Sequence, residues 1–383
     1  MERITMSVRK DWKKRCEEAG FGFHTIENEP YWREGACYRF TPQEIEAIED
    51  ATNELHAMCL EHVADTVARG AYEAYRFPPF VAELVEKSWK VGEPGYYGRF
   101  DLAYDGRRIK MLEYNADTPT SFPEASVWQW LWLQDHALPD QFNSIHEKAV
   151  ARWKTILGAK RHRLHFTAMA HAGAEDWGNI HYHMAVADEA GFDTSAIDLE
   201  EIGWSESRRV FTDVKEEPIE ILFKLYPWEW ILGDEFGWKM ATSGTRFLEP
   251  AWKLLLSTKA LLPLLSEKHP NHPLLLPAYF DDPDSKPRSG AWARKPVLGR
   301  EGSNLSLVSN GTTTQVAGST FNSAYDTRGY VLQEWFNVPK FEPEAWSPVI
   351  GSWVVGDEAA GMGIREDRGV TGNASCFVPH YFA

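Results

Sequence analysis

The chain has 383 residues, room for about two or three domains, and its 43% hydrophobic and 25% charged content is that of a globular protein, not a disordered or fibrous one. With 40 basic against 56 acidic residues the formal charge is −16, which argues against a nucleic-acid partner held by counterion release. Cys16, Cys37, Cys59 and Cys376 are scattered, with neither a disulfide framework nor zinc-ligand spacing, so a reducing cytoplasm is the expected compartment.

No membrane span is expected, because the greasiest stretch, 252–265, is broken by Lys253, Lys259 and Pro263. The basic start has no apolar stretch behind it, so no secretory signal is expected. Residues 41–69 predict a helix: Thr41 suits the N-cap, Pro42 the first turn, Glu44 a capping box and Gly70 the stop. Residues 96–115 form two short runs around Asp105-Gly106, a hairpin signal. Helices are expected over 126–138, 141–157 and 180–190, with strands over 163–170 and 219–226. The stretch 244–265 reads as mostly helical. Strands are expected at 291–300 and 304–309, joined by a tight glycine-containing loop, and again at 330–336 and 349–355. Helices mixed with strands give an α+β or α/β class.

Three constellations carry chemistry. The first is Arg99-x-Asp101 with Glu113-x-Asn115. Residues two apart on a strand share a face. A two-residue turn at Asp105-Gly106 sends the two pairs to opposite faces, whereas an odd-length loop brings all four together. We expect the odd loop, with Asp101 opposite Glu113 or one pair away. Two carboxylates and an amide oxygen then suit Mg²⁺, which takes phosphate oxygens and water as further ligands; a solvated charged face carries the same short patterns.

The second constellation is Lys295-Pro-x-x-Gly299-Arg300-Glu301-Gly302-Ser303-Asn304, a basic strand running into a glycine-rich loop. Its glycines and successive N–H groups suit a triphosphate lid, although the segment matches neither GxxxxGK[ST] nor GxGxxG. The third set is looser. Lys224 ends an apolar strand, Gln333 to Phe336 end another, and Arg365 follows two glycines; each also reads as structural. His181 and His183 fall on a predicted helix, where residues two apart diverge, so no zinc site is expected there.

Taken together, GRFD (98–101), LEYNADTPTS (112–121), FKLYPWEW (223–230), KPVLGREGSN (295–304), LQEW (332–335) and GIRED (363–367) resemble the glutathionylspermidine synthase family. The likeness is greatest to its stand-alone, synthetase-type acid–amine ligases. The resemblance implies an α+β, ATP-grasp-like fold with an associated α/β substrate domain. Its circularly permuted chain order is like that of eukaryotic-type glutathione synthetase, because the metal ligands precede the ATP lysines. It implies Asp101, Glu113 and Asn115 as ligands of Mg²⁺, two ions being expected. Arg99 and Arg365 are implied as active-site arginines contacting phosphate or the activated acyl group. Lys224 and Lys295 are implied as ATP lysines, with Glu301 and Gly302 over the triphosphate. Gln333, Glu334, Trp335 and Phe336 are implied at the adenine. Thr118 and Thr120 stand where the bifunctional enzymes have serines that touch a thiol-peptide substrate.

The implied activity is an ATP- and Mg²⁺-dependent ligase that joins a carboxylic acid, of peptide or glutathione-like kind, to an amine such as a polyamine. The route is an acyl phosphate, and the partners are small molecules, not nucleic acid or membrane. The alternatives are an inactive nucleotide-binding interaction protein of the same fold and a divalent-metal hydrolase. Three segments are expected: a mainly helical 1–95, a metal-hairpin and substrate region 96–215, and a nucleotide-binding region 216–383.

Overall fold

Helix Pro42–Arg69 starts as its capping signals require. Thr41 Oγ1 accepts from the Glu44 N–H at 3.2 Å, and the Glu44 carboxylate accepts from the Thr41 N–H at 2.9 Å. Gly70 ends the helix in the left-handed conformation at φ 64°. The buried face, including Ile48, Leu55, Cys59 and Val63, packs on strands Ser347–Val355 and Glu358–Asp367, where Thr52 Oγ1 meets Ser352 Oγ at 2.6 Å. The computed structural model describes residues 1–26, 28–158, 162–234, 237–282, 289–316, 318–372 and 375–383.

Helices and sheets mix along the chain, which makes the protein α+β. An antiparallel five-stranded sheet has the order Cys376–Val378, Glu358–Asp367, Ser347–Val355, Tyr97–Tyr104, Ile109–Asn115. It carries the expected hairpin at one edge. A second antiparallel sheet runs Ala278–Phe280, Tyr330–Glu334, Ala291–Pro296, Ser306–Ser309, Thr312–Gln315. A parallel sheet orders Arg246–Leu248, Ile221–Lys224, Arg163–Ala168, Asp193–Asp198. Glu2–Thr5, Ala36–Phe40 and His380–Phe382 join the two ends of the chain in a small sheet. Sheet membership does not follow the three expected segments. The hairpin sheet unites residues near 100 with residues near 360, and the 215/216 boundary cuts the parallel sheet.

Several expected elements shift. The 244–265 stretch is not mostly helical from its start: Arg246–Leu248 is a strand, paired in parallel with Ile221–Phe223, and helix follows in short pieces. Burial against the sheet outweighs local propensity there. Helix Ala174–Glu189 begins six residues before the expected 180, which places His181 and His183 in mid-helix. The helix expected from 126 opens two residues earlier with a π-turn, Glu124–Trp128. The connection between Ala291–Pro296 and Ser306–Ser309 is a nine-residue loop, not a tight one. All four cysteines are free and buried. Among the described residues, no helix is long and apolar enough to cross a membrane.

Candidate active site

The hairpin face decides the site. Tyr104 pairs with Ile109 around the four-residue loop 105–108, so the loop is even, not odd as expected. Asp105 Oδ1 holds it by accepting from the N–H groups of Arg107 and Arg108. A β-bulge restores the parity. Leu102 pairs with Met111 but Asp101 pairs with Glu113, which leaves Leu112 as the extra residue. Arg99 pairs with Asn115, so all four side chains share one face, and they line one cleft of about 1000 Å³. The opposite face carries Phe100 stacked on Tyr114 at 3.8 Å between ring centres.

The bulge also frees two carbonyls. The Leu112 carbonyl accepts from Lys295 Nζ at 3.1 Å, and the Met111 carbonyl accepts from Gln333 Nε2 at 3.0 Å. Lys295 in turn donates to Gln333 Oε1 at 2.8 Å. Two residues of the second sheet are thus locked onto the irregular backbone of the first. Ala293 pairs with Gln333, and Lys295 lies two residues further along the same face of its strand.

Charge in the cleft is closely balanced. Arg99 Nε donates to Asp101 Oδ1 at 2.7 Å, and its Nη1 donates to the Thr120 carbonyl at 2.8 Å. Lys259 Nζ lies 3.0 Å from Glu113 Oε2 and donates to the Gly299 carbonyl at 2.6 Å. Burial opposes ionisation of Glu113, but Lys259, Lys295 and Arg99 outweigh it and hold its carboxyl down at about 2. Burial, opposed by Glu113 and aided by Lys259, brings Lys295 down to about 8.

In the sequence, Lys259 reads only as an interruption of an apolar run. A lone lysine inside LLLSTKALLPLL was the available signal, because a cation among leucines needs either a route to water or a buried partner. Lys224 goes the other way. Its Nζ is buried against Asp117 Oδ1 at 2.7 Å and the Tyr226 carbonyl at 3.1 Å, and it is absent from the cleft lining. Asp117 also accepts from the Trp228 N–H, so this ion pair ties hairpin to parallel sheet. Of the two lysines expected at the nucleotide, Lys295 therefore lines the cleft and Lys224 does not, while Lys259 lines it as well.

The remaining sequence-derived residues all line the same cleft: Thr118, Thr120, Glu301, Gly302, Gln333, Glu334, Trp335, Phe336 and Arg365. The glycine-rich loop crosses one side. Its Arg300 donates to Glu229 Oε1 at 3.0 Å and to Thr118 Oγ1 at 2.7 Å, and Ser319 Oγ donates to the Gly302 carbonyl at 2.7 Å. Across from it, Arg365 donates to the Gly372 carbonyl, and Val370 packs near Gly302. Acidic residues cluster beyond: Glu175 and Asp176, in the first turn of helix Ala174–Glu189, also line the cleft. Burial raises both carboxyls; Arg365 opposes the rise at Glu175, and Glu301 adds to it at Asp176. Sequence reasoning missed this pair, because the helix is expected only from 180, which leaves 175 and 176 outside any predicted element.

The family model described as "Glutathionylspermidine synthase preATP-grasp" matches residues 3–383. A Haemophilus influenzae protein provisionally named an acid–amine ligase is 45% identical, over 100% of both chains. Trypanothione synthetase of Crithidia fasciculata is 29% identical over 97% of this chain. Bifunctional glutathionylspermidine synthetase/amidase of Escherichia coli is 26% identical over 90% of it. The chain spans only 57% and 58% of those two longer proteins. With the match running almost from end to end, the chain belongs to the glutathionylspermidine synthase preATP-grasp family.

Proposed function

We propose that this protein is an ATP-dependent ligase joining a carboxylic acid to an amine, on an ATP-grasp-like fold of permuted order. The observation that carries the reading is the convergence of Asp101, Glu113 and Asn115 with Lys259, Lys295 and a glycine-rich loop in one cleft of about 1000 Å³. A cleft of that size takes a nucleotide together with a second small molecule. The names of the relatives supply the substrate classes, a peptide-like acid and a polyamine.

The oxygens of Asp101, Glu113 and Asn115 are hard donors on one face of the hairpin, a set that fits Mg²⁺. Glu113, between the other two, would be the residue shared if two ions bind. Among the described residues no cluster of three or more His, Cys, Asp or Glu side chains is placed to hold a metal alone. The nucleotide's phosphates would complete such a set, and the metal would neutralise charge on them.

A carboxylate resists attack by an amine because it is already anionic. Transfer of the terminal phosphoryl group of ATP to the acid gives an acyl phosphate, whose carbonyl is electrophilic and whose phosphate departs readily. Lys259 and Lys295 supply fixed positive charge where phosphate charge shifts. Arg99, held by Asp101 and the Thr120 carbonyl, is preorganised to stabilise the acyl oxygen; Arg365 lines the cleft from the same face of the same sheet, two strands away. The 299–304 loop excludes water, which would hydrolyse the acyl phosphate. Glu175 and Asp176 give the cleft a negative end suited to a cationic amine. Gln333 to Phe336, at the end of the strand beyond Lys295, would take the adenine.

ADP release screened over acid and amine pairs with Mg²⁺, starting from glutathione with spermidine, tests the reading. Release that depends on both acid and amine is expected. Release from no pair, or release indifferent to the amine, refutes it.

A further inference from the structure

We propose that Ser121, Tyr31 and Glu124 form a relay that takes a proton from the incoming ammonium, a role that rests on the ligase reading above. Ser121 lines the cleft and is held in the left-handed region at φ 70°, uncommon for a residue other than glycine. Its Oγ is 3.1 Å from the Tyr31 hydroxyl oxygen. Tyr31, itself buried, donates to Glu124 Oε1 at 2.7 Å. Glu124 is 0% exposed, and its Oε2 has no hydrogen-bond partner among the described residues. A buried carboxylate oxygen left unpaired costs stability, so packing alone gives no reason to keep it. Glu124 also opens the π-turn 124–128, a helix irregularity that recurs at functional sites. The other charged groups that face it are Glu175 and Arg365, and both line the cleft.

The chemistry needs such a group. An aliphatic amine arrives as its ammonium ion, whose nitrogen has no lone pair to attack with. In the relay, the ammonium gives one proton to Ser121 Oγ as the serine's own hydroxyl proton moves to the Tyr31 oxygen. The Tyr31 proton moves to Glu124 in the same sense, so neither hydroxyl ends charged. The neutral amine then forms the C–N bond, and the C–O bond to phosphate breaks with its electron pair leaving on phosphate. The nitrogen's second proton goes out on that phosphate, and Glu124 returns its proton to solvent after product release. Burial, reinforced by Glu175 and opposed by the Tyr31 hydrogen bond, pushes the Glu124 carboxyl up to about 8. That lies between an ordinary carboxylate and an ammonium ion, which suits a base working near neutral pH. A cation bound in the cleft favours the ionised form. Burial holds the Tyr31 phenol well above its ordinary value, so it passes a proton by exchange and not by ionising.

The test uses the full chain, Mg-ATP and a productive acid from the ADP-release screen, with two amines across neutral to alkaline pH. One amine is spermidine, or the basic amine the screen selects; the other is hydroxylamine, which is already neutral and traps acyl phosphates without a base. Glu124→Gln and Tyr31→Phe are expected to lower kcat for the basic amine by roughly a hundredfold, to lose the rising limb near pH 8, and to lose much less with hydroxylamine. Tyr31→Phe keeps the ring packing, so it decides the matter if Glu124→Gln folds poorly. Equal losses with both amines, or an unmoved pH limb, overturn the relay and leave the ligase reading standing. A wild-type protein that yields neither amide nor hydroxamate with any acid overturns the ligase reading, and the relay with it.

Discussion

Gly302 offers a sharp perturbation of the loop over the cleft. Its φ is +66°, and a Cβ built there would sit 2.8 Å from Val370 Cγ1 and 3.3 Å from the Thr371 carbonyl oxygen. An alanine would pay for the left-handed backbone with ~1–2 kcal/mol. The methyl clash adds about 1 kcal/mol, the low end for overpacking, because Val370 is only half-buried and can yield. Together that is about 2–3 kcal/mol, or roughly thirty- to hundredfold in affinity at ~1.4 kcal/mol per tenfold, for a ligand that needs the two loops in contact. Calorimetric titration with Mg-ATP reads this directly. Hydrogen exchange on amides 299–304 reads whether nucleotide still orders the loop in Gly302→Ala. The double variant Gly302→Ala/Val370→Ala removes the clash but keeps the backbone strain, so it should recover part of the loss and not all of it. If Gly302→Ala binds as wild type, or if Val370→Ala restores nothing, the loop does not close on 368–372 over a triphosphate and is an ordinary connection.

Glu113→Gln keeps the shape of the side chain and removes its charge; amine-dependent ADP release should disappear while the melting temperature shows a folded protein. Lys259→Met and Lys224→Met should separate by readout: the first abolishes tight Mg-ATP binding in calorimetry. The second strands a buried Asp117 carboxylate and destabilises the fold by about 3–5 kcal/mol in denaturant titration. Because Lys295 sits at about 8 in the fold against an ordinary 10.5, the unfolded chain holds the extra proton between those values. Stability should therefore rise with pH across that window. Mg-ATP affinity should instead fall as pH rises through about 8 and Lys295 loses its charge. Glu113→Gln removes the anion that supports that charge, so the fall should begin at lower pH, as a binding series over pH would show.

Much of the hairpin could be read in the sequence. The turn signal and the two-residue period locate the hairpin, but with its even loop they set Asp101 opposite Leu112, and the pairing of Asp101 with Glu113 comes from the bulge. The bulge was legible only in hindsight, as a break of phase. Ile109 and Met111 are apolar on one period, whereas the next core residue is Tyr114, out of step with them. An extra residue between them is the simplest repair, and Leu112 is that residue. Lys224 shows what a local pattern leaves open. A lysine at the end of an apolar strand reads alike whether it meets a ligand or a buried carboxylate, and only the position of Asp117, over a hundred residues away in the chain, separates the two.

What the sequence by itself determined is local. The capped helix 42–69, the hairpin, the basic strand into a glycine loop, and an ordered set of segments typical of one family are all properties of short stretches. Short-range sterics and hydrogen bonding express them without reference to the rest of the chain. The tertiary structure decided which charges meet. Lys259 reaches Glu113 across 146 positions of chain because two sheets are locked together through the carbonyls of Met111 and Leu112. The chain Ser121–Tyr31–Glu124 likewise exists only after a segment from near the start of the chain packs behind the cleft wall. Charge–charge interactions and buried hydrogen bonds act over a few ångströms of space and carry no periodic trace in the sequence, so they become readable only when the fold has set those distances.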